Sequence, residues 1–285
     1  MSARFGVRLA AAMDRHGPLC VGIDPHPALL AKWGLPDDAA GLRRFALTVV
    51  QALGDRVAAL KPQSAFFERQ GAAGVAVLQE VLAVAGGGST QVILDAKRGD
   101  VGATMEGYAD AYLRDGAPLA CDALTLSPYL GLGALEPALR AADEAGRGVF
   151  VLALTSNPEG AQVQHALGPD GVAVAAAIAA QVAARNAAEL GTSDGMGSTG
   201  LVIGATVGLA VDLLGIDLAA VRGPILAPGV GAQGAGAAEL GQVFGSVPRG
   251  VLAATSRAVL EAGPGLMALR DAASRAVAAA SSALG

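Results

Sequence analysis

The stretch QVILDAKRGDVGAT, residues 91–104, runs from an apolar, β-branched start into charge: Val92-Ile93-Leu94 lead to Asp95, Lys97 and Asp100. A short apolar run closed by a Gly-containing polar cluster reads as a buried strand that ends at a polar loop. Residues i and i+2 of a strand lie on one side, so Asp95 and Lys97 are expected to point the same way. A carboxylate and an ammonium turned inward would be costly to desolvate unless paired and used. Alone, D-x-K-x-x-D is more often a solvated strand end with one incidental ion pair.

The same grammar recurs along the chain. LCVGID (19–24), VAALKPQ (57–63), ALTLSP (123–128), GVFVLALTS (148–156), GLVIGAT (200–206), PILAPG (224–229) and GVLAATS (250–256) join QVILDAK (91–97) as eight candidate strands. Between them lie helical stretches such as 66–85 and 108–116. Successive strand starts are mostly separated by roughly 25 to 40 residues, the length of a β-loop-α unit. Eight such units in 285 residues predict a single (β/α)₈ TIM barrel over residues 1–285. A doubly wound open sheet is weaker, because no G-x-G-x-x-G follows the first strand. The one overlong interval, between the fifth and sixth strands, holds SNPEGAQVQHALGPDG, an Ala-rich helix (172–190) and GTSDGMGSTG (191–200), read as a surface connection. The last helix, LMALRDAASRAVAAASSAL, is expected to pack outside the barrel.

Composition limits the function. Apolar residues make up 53% of the chain, enough for a full core, yet 64 are Ala and aromatics are only 4%, so elements must approach closely. A net charge of −5 argues against binding the nucleic-acid backbone. Cys20 and Cys121 match no metal-ligand spacing and read as buried thiols of a reducing cytoplasm. No stretch has the length and Leu-rich character of a membrane span, and the N-terminus lacks a signal-peptide pattern. The chain is expected to be soluble and cytoplasmic, without nucleic-acid or membrane partners. His16, His26 and His165 share no metal spacing, and no nucleophile elbow or Walker-type phosphate loop is present.

In a parallel barrel the carboxyl ends of the strands face the catalytic mouth. The polar residues there are Asp24 after the first strand, Lys61-Pro62-Gln63 after the second, and Asp95, Lys97 and Asp100 after the third. The seventh strand ends in APGVGAQGAG, whose backbone N–H groups suit an anion. Ser256 and Arg257 follow the eighth. Loops after strands seven and eight recurrently bind phosphate, with Gln233 and Arg257 as natural donors. Any one of these ends is weak evidence; five in the right order are not.

With these residues in view, the sequence closely resembles the orotidine 5′-phosphate decarboxylase family, especially its longer bacterial branch. LDAKRGDVGATMEGYADAYL matches the family's D-x-K-x-x-D-[IV]-x-x-T signature, and ALKPQSAFFE, SPYLG, TSNP and APGVGAQG fall where its other strand-end motifs should. The resemblance implies loss of CO₂ from orotidine 5′-monophosphate to give UMP, in de novo pyrimidine nucleotide biosynthesis. It implies an alternating network of Lys61, Asp95, Lys97 and Asp100, with Lys97 as proton donor. Asp24 and Lys61 would reach the ribose, Ser156 would sit beside the pyrimidine, and Gln233 and Arg257 would hold the phosphate. Asp100 and Thr104 would come from the partner subunit of a homodimer with shared active sites.

Departure of CO₂ leaves a carbanion at C6 with no obvious delocalising group, and most decarboxylases recruit a cofactor as electron sink. The expected site needs no cofactor and no metal: the Lys97 ammonium stabilises charge developing at C6 and then delivers the proton. Two alternatives stand beside this reading. One is a metal-dependent sugar-phosphate lyase or decarboxylase of the same barrel group, which would want a carboxylate where Lys61 stands. The other is a non-catalytic phosphate-binding barrel, which would have no reason to keep the whole charge network.

Overall fold

The computed structural model describes residues 3–231 and 235–285. Its eight strands are β1 (Leu19–Ile23), β2 (Ala59–Pro62), β3 (Gln91–Arg98), β4 (Ala123–Leu126), β5 (Gly148–Leu154), β6 (Thr199–Ile203), β7 (Ile225–Pro228) and β8 (Val251–Thr255). Each pairs in parallel with the next, and β8 returns to β1 through Leu19↔Ala253 and Val21↔Thr255, which closes the barrel. All eight expected strands are present, each starting within two residues of its expected position. The open-sheet alternative is excluded by the closure.

Two apolar layers hold the fold. Leu, Val and Ile on the outer faces of the strands pack against the surrounding helices, for instance Phe45, Val49 and Leu53 of helix Ala39–Leu53. Inside the barrel a second cluster combines small and large side chains: Ala59, Ala123 and Ala254 with Ile93, Phe150, Leu226 and Leu252. Helix Phe5–His16 closes the floor. Phe5 is fully buried, meets Phe150 edge-on at 6.0 Å and lies where a side chain at Gly148 would stand. The abundance of Ala and Gly thus converts into close approach.

The long fifth-to-sixth interval is bridged by helix Val174–Leu190, in which Ala, the strongest helix former, predominates. It stops at Gly191, whose φ of 56° suits glycine. Helix Leu266–Leu284 lies outside the barrel as expected, burying Leu269, Ala272, Ala273 and Ala280 against neighbouring helices. No described helix is long and apolar enough to cross a membrane.

Candidate active site

Asp95 is the centre of the mouth. Its carboxylate accepts from Lys61 Nζ at 2.7 Å and Gln63 Nε2 at 3.0 Å on one oxygen, and from Lys97 Nζ at 2.5 Å and Thr125 Oγ1 at 3.0 Å on the other. Two ammoniums and two neutral donors therefore surround one buried carboxylate. Burial opposes ionisation of Asp95, but the charges of Lys61 and Lys97 outweigh it and hold the carboxyl well below the usual carboxylate range. Burial likewise disfavours the Lys61 ammonium, yet Asp95 and Asp24 raise it above the ordinary lysine value. The Lys97 side chain is 45% exposed, whereas that of Lys61 is 10% exposed.

Asp95 and Lys97 do meet, but not through strand alternation. Lys97 has φ 48°, a left-handed conformation that costs a non-glycine residue about 1–2 kcal/mol. The pairing with β4 slips at the same place, Leu94 facing Leu124 while Arg98 faces Leu126. Irregular backbone beside a charged constellation is a familiar way to re-aim a side chain.

Below and beside the network lies a cavity of about 180 Å³ lined by Asp24, Lys61, Gly229, Thr255, Ser256 and Arg257, among others. Asp24 Oδ1 and Thr255 Oγ1 are buried there without a hydrogen-bond partner among the described residues, and buried polar atoms ordinarily have one. Gly22 makes room: a Cβ at that position would stand 2.0 Å from Ser256 Oγ. Arg257 is exposed at the rim, and Ser156 is exposed at the end of β5. Gln233 lies outside the described residues.

Asp100 and Thr104 are not brought to Lys97 within the chain. Asp100 accepts the Val101 N–H at 2.8 Å and forms no ion pair with another described residue; Thr104 is exposed on helix Gly102–Tyr112. Val101 is exposed as well, as are Leu130 and Tyr129 in the loop after β4, Tyr129 to 74%. Burial pushes the thiols of Cys20 and Cys121 up to about 12, so neither is a nucleophile at neutral pH. His26 caps helix Pro27–Lys32 by accepting the Ala28 N–H, a polar loop role.

Gln63 and Thr125 went unassigned in the sequence. Gln63 stands two residues after Lys61, so the side-sharing rule applied to β3 could have found it. Thr125 is the only hydroxyl in the apolar strand β4, 1% exposed, and that isolation was the available signal.

The depressed Asp95 value has a sign that can be tested. A carboxyl held lower in the folded than in the unfolded chain adds stability above its unfolded value of about 3.9, and the gain is lost as pH falls toward the folded value. Asp95→Asn breaks a buried pair and is expected to cost about 3–5 kcal/mol at pH 7. The gap between the urea midpoints of wild type and variant should stay level down to about pH 4.5 and narrow below about pH 4. A gap that widens on acidification would contradict the assignment.

The chain matches the model of the Orotidine 5′-phosphate decarboxylase / HUMPS family over residues 17–272. A protein named orotidine 5′-phosphate decarboxylase from Streptomyces coelicolor is 56% identical over 271 residues, 95% of each chain. One of the same name from Salinispora arenicola is 57% identical over 274 residues, 96% of each. Among solved structures, Leishmania donovani OMP decarboxylase aligns with a TM-score of 0.77 at 30% identity, covering 99% of both chains.

Proposed function

The chain belongs to the orotidine 5′-phosphate decarboxylase / HUMPS family and decarboxylates orotidine 5′-monophosphate to UMP in pyrimidine biosynthesis, and from that premise we propose that Lys97 is the group that does the chemistry. The carrying observation is the Asp95 carboxylate bridging Lys61 and Lys97 at the barrel mouth, with Lys97 the more exposed of the two lysines. As the C6–CO₂ bond breaks, its electron pair stays on C6. The fixed positive charge of Lys97 stabilises that pair, and the Lys97 Nζ–H then transfers its proton to C6. No electron sink enters these steps, so the reaction is assigned no cofactor and no metal. Lys61, where a metal-dependent relative would want a carboxylate, would repel a divalent cation. Purified protein dialysed against chelator should convert orotidine 5′-monophosphate to UMP; a loss of turnover restored by a divalent metal would overturn the cofactor-free reading.

The remaining roles follow the same reading. Asp24, with its orphaned buried oxygen, and Lys61 hold the ribose hydroxyls, and Ser156 contacts the pyrimidine. Gln233 and Arg257 hold the phosphate, whose binding energy organises the reacting end. Asp100 and Thr104 are contributed across a homodimer to the partner's site. Two features support this: Asp100 lacks an ionic partner among the described residues of its own chain, and Val101, next to it in the chain, is an exposed apolar side chain. Residues 1–285 form one domain, since the first and last helices both pack on the barrel, and unpaired buried thiols suit the cytoplasm.

The phosphate role has its own test. Arg257→Ala removes charge-assisted hydrogen bonds worth about 1.5–3 kcal/mol, so UMP should bind roughly 10- to 100-fold more weakly. Uridine, which lacks the phosphate, should compete equally well against wild type and variant. Equal weakening of UMP and uridine would refute the assignment.

A further inference from the structure

We propose that Thr125, a buried residue of β4, is a positioning residue for the decarboxylation: its hydroxyl fixes the irregular end of β3 so that the Lys97 ammonium is held at the reacting carbon. The proposal rests on the assignment of Lys97 as proton donor.

A threonine hydroxyl has one proton to give and two lone pairs to receive. In Thr125 all three are used, and all on consecutive residues of β3. Oγ1 accepts the backbone N–H of Ala96 at 3.0 Å and that of Lys97 at 2.9 Å, and it donates to Asp95 Oδ1 at 3.0 Å. That same Oδ1 accepts from Lys97 Nζ. The bonds therefore close a ring that leaves Lys97 at its backbone N–H, passes through the Thr125 hydroxyl and the Asp95 carboxylate, and returns to Lys97 at its ammonium. Lys97 is tied at both ends.

The tie lies where the strand would otherwise be loose. Between Leu94 and Arg98 the β3–β4 register slips, and Lys97 is left-handed. Backbone N–H groups in a buried stretch need acceptors, and here a side chain of β4 takes two of them. A hydroxyl needed only to satisfy itself would require one partner. Gln63, by contrast, bridges β3 at Asp95, and its side chain gives that carboxylate one bond and the Lys97 backbone none.

Thr125→Val keeps the shape and deletes the hydroxyl, whereas Thr125→Ser keeps the hydroxyl and deletes the methyl. The Lys97–Asp95 ion pair survives in both. Since misplacement by about 1 Å can cost about 100-fold, Thr125→Val is expected to lower kcat by roughly 10- to 100-fold. Affinity for UMP, which is held mainly through ribose and phosphate, should stay within about threefold, and Thr125→Ser should recover kcat to within about threefold. Turnover in Thr125→Val within about twofold of wild type would overturn the proposal. So would Thr125→Ser as impaired as Thr125→Val, or a parallel loss of turnover and UMP affinity. If Thr125→Val fails to fold, Thr125→Ala against Thr125→Ser asks the same question by the same measures. Lys97→Ala in the same assay separates the two claims. If that variant keeps activity, the Lys97 assignment fails; if it is inactive while Thr125→Val is normal, only the Thr125 proposal fails.

Discussion

Lys97→Ala should lose decarboxylation by more than about 10⁴-fold, beyond what removal of a general acid alone usually costs. One side chain supplies two things here: a fixed positive charge near the carbon that becomes electron-rich, and the proton that quenches it. The variant should still bind UMP, because the cavity lined by Asp24, Lys61 and Arg257 does not include Lys97 in its lining. Deletion also leaves Asp95 with Lys61, Gln63 and Thr125 as donors, so the carboxylate is not stranded. Initial rates of UMP formation, with UMP affinity measured in parallel, decide the matter. Turnover near that of wild type would remove Lys97 from the mechanism.

Mixing two inactive variants should restore activity. If each site takes Lys97 from one subunit and Asp100 from the other, Lys97→Ala and Asp100→Ala homodimers are both severely impaired. In a mixed dimer one site collects both lesions and the other collects neither. Random exchange makes about half the dimers mixed, each with one intact site, so about a quarter of wild-type activity should return. Co-refolding followed by a UMP assay measures it. Exchanged subunits that stay as inactive as the separate variants would show that Asp100 serves its own chain, while the decarboxylase activity would stand.

The barrel was legible because its units repeat. Each strand is a short apolar run that ends in polar or Gly-Pro chemistry, and eight spaced copies leave few other closed arrangements. Asp95, Lys97 and Lys61 were legible for the same reason, as charged residues at the carboxyl ends of otherwise apolar runs. The contact between Asp95 and Lys97 was anticipated on the wrong ground: alternation predicts it only for regular strand, and Lys97 is left-handed. Its backbone N–H is accepted by a hydroxyl from another strand, information that no window around residue 97 contains. Thr125 was silent for the complementary reason, since a threonine in a strand is ordinary until its neighbours are known. The orphaned oxygens of Asp24 and Thr255 were also invisible, because lack of a partner is a property of the packed chain.

The pairing of β1 with β8 has a consequence for how the chain is made. Leu19 faces Ala253, some 230 residues later, and Phe5 waits for Gly148 and Phe150 before the floor is sealed. Contacts this distant in sequence are slow to form. During synthesis the earliest strand leaves the ribosome long before its last neighbour exists, so its unpaired edge is exposed for most of translation. Until β8 emerges, β1 lacks the partner that closes the ring, and unpaired strand edges are prone to pairing with a neighbouring chain. The brevity of β1 and its one glycine, Gly22, shorten and weaken that edge during the wait. A ring that hides every edge once complete is at its most vulnerable just before its last strand is added.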